Sequence, residues 1–310
     1  MYPRSMLAIL CSTLTVTLRA AQLDFASALP LLQKMVAHAH SGKELTAAVQ
    51  STMKSVHAEG AMIHPAFAVQ RSNSYVFALV DLEGTGQGYA YLATRKGRGF
   101  HLKALYKVDD DSFLPTTAFA ARDTIVVGGL IGWLGNGPSA AAAILSPSKD
   151  GWHMGPMIST DFEVWQCKFR PVGSKWIADN IGRTYPTNIN VAHVMANVEM
   201  SQRFVYEGGK LSALPAHRTM NPMAVLDDLA GEAAVGNLAA LQRDCVSRQL
   251  AVQISKLGSK LKDSHWDTPS NTKATTDTQY ISTSLGLQFN FVRKNGKWLL
   301  GAIKPTLRQK

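Results

Sequence analysis

A chain of 310 residues and 33.6 kDa, 46% hydrophobic and only 17% charged, carries enough apolar material for one large or two ordinary domains and too much to stay disordered. No run of eighteen apolar residues occurs, which excludes a multi-pass helical membrane protein. The 32 basic residues against 22 acidic ones leave a formal charge of +10, which permits attraction to a polyanion without specifying one.

At the N-terminus, Arg4 and the free amine precede a mostly apolar stretch, Met6 to Leu18, and Leu18-Arg19-Ala20 then places a small residue ahead of Ala21. That order predicts a signal peptide over residues 1–20 and a secreted or periplasmic mature chain with no transmembrane span. Cys11 makes no lipoprotein box, because Leu10 stands where a small residue is needed. Cys167 and Cys245 remain, compatible with one disulfide or with two buried thiols. No C-x-x-C pair exists, so neither a cysteine zinc site nor a thioredoxin-type redox centre is expected.

Pro30 opens a helical pattern with Leu31, Leu32, Met35 and Val36, and Ser41-Gly42-Lys43-Glu44 has the form of a capping box before Leu45, Val49, Met53 and Val56. Residues 27–58 are therefore expected to form a helical hairpin across a sheet. From Tyr75 the period becomes that of strands: Tyr75–Leu82, Tyr89–Thr94, Phe100–Val108, and further short strands past Phe204. A polar glycine turn followed by a large side chain recurs at Asp150-Gly151-Trp152, Gly173-Ser174-Lys175-Trp176, Gly208-Gly209-Lys210-Leu211 and Asn295-Gly296-Lys297-Trp298. Tight hairpins need positive φ at the turn, which Gly and Asn tolerate, so the repetition predicts an antiparallel meander.

A second helical block begins at Asn221-Pro222, an N-cap residue followed by proline at the first helical position, with Leu226, Leu229, Ala230 and Ala233 as its apolar stripe. Gly236-Asn237 reads as a stop and a new cap, and one further helix carries Leu250, Ile254, Leu257 and Leu261 against a sheet. About three strands then end near Lys304. The predicted fold is α+β: residues 21–215 as a helical hairpin plus antiparallel sheet, and residues 216–310 as a smaller helix-plus-sheet domain.

Helices first, then strands closing on Phe289-Asn290-Phe291-Val292-Arg293-Lys294-Asn295-Gly296-Lys297-Trp298, resemble the C-terminal half of NTF2-like (cystatin-like α+β cone) domains over roughly residues 220 to 306. The resemblance implies a curved sheet and helix around an apolar pocket, used for catalysis in some members and for binding or assembly in many.

Several motifs point to chemistry and fail on context. Gly84-Thr85-Gly86-Gln87-Gly88 leads into the strand-like Tyr89-Ala90-Tyr91, whereas a phosphate cradle must lead into a helix N-terminus. The S-x-x-K spacing of penicillin-recognising serine enzymes at Ser51/Lys54 recurs at Ser146/Lys149, Ser259/Lys262 and Ser270/Lys273, with no S-D-N or K-T-G partner. Among His38, His40, His57 and His64 no zinc spacing exists, and His38 shares the stripe of Leu31 and Met35 as a half-buried structural residue. Asp109-Asp110-Asp111 lacks the alternation of a calcium loop. No catalytic residue, cofactor or metal is expected.

What remains is a non-catalytic binding or assembly module outside the cytoplasm, its partner a small apolar ligand or another envelope protein. Trp266, Tyr280, Phe289, Phe291 and Trp298 are the candidate ligand-binding residues, should their face line a pocket rather than the core. Two alternatives stand beside it: an NTF2-like enzyme acting on a small apolar substrate, and a polyanion or envelope-surface binder using Arg243, Arg248, Lys256 and Lys260 along one helix. Specific nucleic-acid binding is not expected, since no basic groove interleaved with aromatics accompanies these cations.

Overall fold

The computed structural model describes residues 25–55, 62–66, 74–80, 88–108, 112–132, 137–149, 151–191, 198–267, 279–282 and 284–306. The expected signal segment at 1–20, Gly84-Thr85-Gly86-Gln87, Asp109-Asp110-Asp111, His57 and the Ser270/Lys273 pair lie outside them. The architecture is α+β with mostly antiparallel sheets. Two compact units divide the chain: Met1–Asn180 with Arg203–Pro215, and Ile181–Gln202 with Ala216–Lys310.

In the first unit, α1 (Phe25–Val36) and α2 (Gly42–Ser55) form the helical hairpin, with Pro30 inside α1 rather than opening it. Ser41 Oγ accepts from the Glu44 N–H at 3.2 Å, and Glu44 Oε2 accepts from the His40 N–H at 2.8 Å, a capping box whose return bond falls one residue early. The hairpin lies on a sheet of order β1 (Met62–Ala66), β2 (Ser74–Val80), β3 (Gly88–Lys96) and β4 (Gly99–Val108). Gln33 of α1 pairs with the backbone of the edge strand β4, donating to the Phe100 carbonyl at 3.0 Å and accepting from the Leu102 N–H at 2.6 Å.

All of β2 is buried because its two faces serve two cores. Tyr75, Phe77 and Leu79, with Tyr91 and Ala93 of β3, pack on Leu32, Val36, Leu45 and Val49 of the helices. Val76 and Leu92 point the other way, against Ile125, Val127, Ala141 and Leu145. Those belong to a second sheet of β5 (Leu114–Ala121), β6 (Thr124–Ile131), β7 (Ser139–Ser148) and β8 (Gly151–Met154), with β9 (Ile158–Ser159) also on β7. Each large apolar side chain so enclosed contributes about 1.5–3 kcal/mol.

A third sheet has the order β10 (Glu163–Val172), β11 (Lys175–Thr184), β13 (Val198–Glu207) and β14 (Lys210–Ala213), with β15 (His217–Arg218) also on β13. Lys175–Asn180 of β11 and Arg203–Glu207 of β13 belong to the first unit. Within the first unit, Trp176, Ala178, Phe204 and Tyr206 are buried on one face, and Phe169 stacks on Trp176 with ring centroids 5.3 Å apart. Gly128 of β6 makes room for that ring, since a Cβ there would lie 2.4 Å from Phe169.

The second unit places α3 (Pro222–Ala234), α4 (Leu238–Asp244) and α5 (Arg248–Leu257) with a sheet of order β12 (Asn190–Val191), β16 (His265–Asp267), β17 (Gln279–Ser282), β18 (Leu287–Lys294) and β19 (Lys297–Pro305). The β12–β16 pair is parallel; the rest are antiparallel. Asn221, Asn237 and Ser247 each cap a helix, accepting from the backbone N–H of Ala224, Ala240 and Leu250. The single helix expected after Gly236 is two, because the chain at Cys245 leaves the helix to bridge Leu300, and the Val246 N–H donates to the Leu300 carbonyl at 3.0 Å.

One charged group is deep in this unit. Asp227 of α3 accepts from Arg218 Nη2 at 2.9 Å and from the Asn188 N–H at 2.6 Å, and Arg218 also holds Asp228 at 2.5 Å. Asp227 ties the segment ahead of β12 to α3.

Two substitutions check these contacts. Gly128→Ala is expected to cost about 1–3 kcal/mol by overpacking, read as a lower urea midpoint, and much of the loss should return when Phe169→Leu is added. Arg218→Met strands a buried carboxylate and is expected to cost about 3–5 kcal/mol in urea unfolding; a cost under about 1 kcal/mol would show that the pair is solvated.

Candidate functional site

Three hairpin tips of the first unit come together around a cleft of about 500 Å³. The β5–β6 turn supplies Arg122 and Asp123, the β10–β11 turn Gly173 and Ser174, and the β13–β14 turn Gly208 and Gly209. Gly208 and Gly209 have φ of 60° and 83°, and Gly173 has 60°, the left-handed values that two-residue hairpins require. Arg122 has φ of 51°, an uncommon conformation for a side chain with no local hydrogen bond to offer its own backbone.

The cleft wall is Phe119, Ala120, Ala121 and the edge of Tyr206. Tyr206 is buried, and its hydroxyl lies 3.1 Å from Thr124 Oγ1, which donates to the Ala121 carbonyl at 3.0 Å. These two hydroxyls thus brace the β5–β6 turn against β13. Beside the tips, Lys175 Nζ pairs with Glu207 at 2.7 Å. The site combines an apolar wall, a cation, a carboxylate and a serine hydroxyl, which suits recognition of a small amphipathic molecule.

The aromatics singled out in the sequence fall elsewhere. Trp266, Tyr280, Phe289 and Phe291 are buried in the core of the second unit, with Trp298 half-buried against them. Trp266 stacks on Phe289 at 4.8 Å and donates from Nε1 to the Leu261 carbonyl at 3.2 Å, while Tyr280 meets Phe291 edge to face at 5.9 Å. Arg243, Arg248, Lys256 and Lys260 are all exposed, but on α4, on α5 and on the 3-10 turn Gly258–Lys260 rather than along one helix, owing to the break at Cys245. His38 lies beyond the end of α1 and is exposed, not half-buried.

The remaining titratable groups sort by environment. Cys167 and Cys245 are free thiols, and burial pushes each up to about 12, with Asp244 adding to the shift at Cys245. Cys167 donates to Asn180 Oδ1 at 2.6 Å. Both stay protonated at neutral pH and are weak nucleophiles. At the end of α4, burial raises the Asp244 carboxyl, the Asp228 and Glu232 charges push it further, and Arg243 and Lys297 oppose them. Among the described residues no three His, Cys, Asp or Glu side chains gather to hold a metal ion, and no helix is long and apolar enough to cross a membrane.

No protein-family model and no curated protein matches the chain, so function is read from the site itself. The cleft was missed in the sequence because its tips are far apart along the chain and Arg122 is not a residue that announces a turn. Gly173-Ser174 and Gly208-Gly209 were legible as turns, not as neighbours.

The crowding at Asp244 makes a prediction about pH. A carboxyl raised in the fold destabilises it when ionised, and that cost disappears as pH falls through the raised value. Asp244→Asn should therefore melt higher than the parent at pH 7, with the two curves converging toward pH of about 4. A parent that gains over Asp244→Asn as pH rises would overturn this.

Proposed function

We propose that this chain is an exported, non-catalytic binding or assembly module, and that its ligand sits in the cleft between the hairpin tips of the first unit. The observation that carries the reading is Arg122, an arginine in left-handed backbone at φ 51° lining a cleft of about 500 Å³. That conformation costs about 1–2 kcal/mol where glycine or asparagine would relax it. The turn therefore keeps a cation at some expense to the fold. The lining suits a ligand with an apolar face for Phe119 and an anionic or polar edge for Arg122 and Ser174. Thr124 and Tyr206 use their hydroxyls on each other and on the Ala121 carbonyl, which makes them wall rather than nucleophile.

The signal-like order of residues 1–20 supports export. The second unit is read as an NTF2-like fold. Its three helices ahead of a sheet closed by the Asn295-Gly296 turn and Trp298 support the likeness, and the parallel β12–β16 pair departs from it.

The test is a thermal-shift screen of small aryl and alkyl carboxylates, followed by an NMR titration of the best compound. Saturable shifts of the Gly173, Gly208 and Gly209 amides are expected. Arg122→Asn should keep or raise the melting temperature and weaken binding about tenfold or more. Shifts confined to the Trp266 and Trp298 indoles would place the ligand in the second unit, and turnover of any compound would remove the non-catalytic reading.

A further inference from the structure

We infer that the outward face of the third sheet, within the first unit, binds a linear polysaccharide bearing sulfate or carboxylate groups. Strand alternation sets this face. Trp176, Ala178, Phe204 and Tyr206 point inward and are buried, so Lys175, Asp179, Arg203 and Glu207 point outward. Arg170 of β10 joins them through its bond to Asp179, and Lys210 of β14 through its register with Glu207. The face shares no lining residue with the cleft, and its Lys175–Glu207 pair adjoins Ser174 and Gly208 of the hairpin tips.

The charges follow one arrangement twice: a single carboxylate between two cations from other strands. Asp179 on β11 accepts from Arg170 Nη2 at 3.0 Å and from Arg203 Nε at 2.5 Å, one carboxylate oxygen to each arginine. Glu207 on β13 accepts from Lys175 Nζ at 2.7 Å and stands opposite Lys210. Burial alone would raise the Asp179 carboxyl, but the hydrogen bonds from Arg203 and Arg170 outweigh it and hold the group ionised.

Each bracket leaves one positive charge uncompensated, and Lys168, exposed on the same face of β10, adds another. A guanidinium carries five N–H donors, and Asp179 uses only part of each fork, so the two arginines are held in place with donors left for an oxyanion. Cross-strand spacing sets the backbones of Arg170 and Arg203, on either side of β11, about 10 Å apart, and their guanidinium heads converge on the one carboxylate of Asp179.

Charge complementarity selects the occupant. Excess cations on a sheet face fit a chain of regularly spaced anions. Phe169 turns inward onto Trp176, and the exposed ring of β10, Trp165, is out of phase along the strand with Lys168 and Arg170. The bracketed charges themselves thus have no aromatic ring interleaved among them, as base stacking would need. Anionic sugars need none.

The test measures binding of the full chain to heparin as the sulfated probe, by calorimetry over a series of salt concentrations. The parent is expected to bind, with log affinity falling linearly in log salt. Arg170→Gln with Arg203→Gln should lose about tenfold or more and lower the salt slope by about two. Lys168→Gln with Lys210→Gln, which breaks no ion pair with a described carboxylate, should weaken binding in the same direction and guards against misfolding of the first variant. Arg248→Gln with Lys256→Gln and Lys260→Gln, on the helical block, should leave affinity and slope unchanged. The inference is overturned if the helical variant loses binding while the sheet variants keep it, if all three lose equally, if heparin does not bind at low salt, or if phosphatidylserine vesicles bind and heparin does not. Heparin binding that survives Arg122→Asn separates this face from the cleft, and its loss there would overturn their independence.

Discussion

A strand buried on both faces has to satisfy two cores with one backbone, and much of the first unit follows from that constraint. In β2 the odd residues Tyr75, Phe77 and Leu79 meet the helices and the even residue Val76 meets the second sheet, so a register slip of one residue would exchange both cores at once. β6 is placed similarly, with Ile125 and Val127 in the core shared with β2 and Gly128 beneath Phe169. Neither strand tolerates a charge, because neither has a wet side. Charges are displaced to strands with a wet side, such as β4, where exposed Lys103 follows buried Phe100 and Leu102, and the strands of the third sheet.

Local physics was legible in the sequence and stacking order was not. The caps at Asn221 and Ser41 and the turns at Gly173-Ser174, Gly208-Gly209 and Asn295-Gly296 depend on a few neighbouring residues, and each stands where its chemistry asks. Ala140–Ala143 is different, since four alanines favour a helix by propensity and form the first half of β7 instead, where small side chains allow close packing. The break between α4 and α5 has the same origin. Ser247 offers a local cap for the restart, but the partner that pulls the chain out at Cys245, Leu300, lies on the last strand.

The aromatic face of the second unit illustrates how a pocket and a core share one sequence pattern. Alternating Phe289 and Phe291 opposite Tyr280 would read the same in either role. What separates them is closure: Trp266 stacks on Phe289 and spends its indole N–H on Leu261, so the polar handle that makes tryptophan useful to a ligand is already satisfied inside the fold. Asp227 is the counterpart among charges. Its partners Arg218 and Asn188 complete it, so the buried carboxylate fixes the approach of a loop and has no unmet demand that a substrate would fill.

The contrast between the two basic surfaces turns on order rather than on number of charges. Arg248, Lys256 and Lys260 stand on the helical block with no ion pair to a described residue, so each must lose its rotamer freedom when an anion arrives, at about 1–2 kcal/mol apiece. Arg170 and Arg203 have lost much of theirs already, on Asp179. The shared carboxylate lowers the net charge of the sheet face by one and in return fixes two forks on a rigid support. For a flexible polyanion, whose own ordering opposes binding, a face that is ordered beforehand gives the larger net attraction even where the bare charge of the helices is equal.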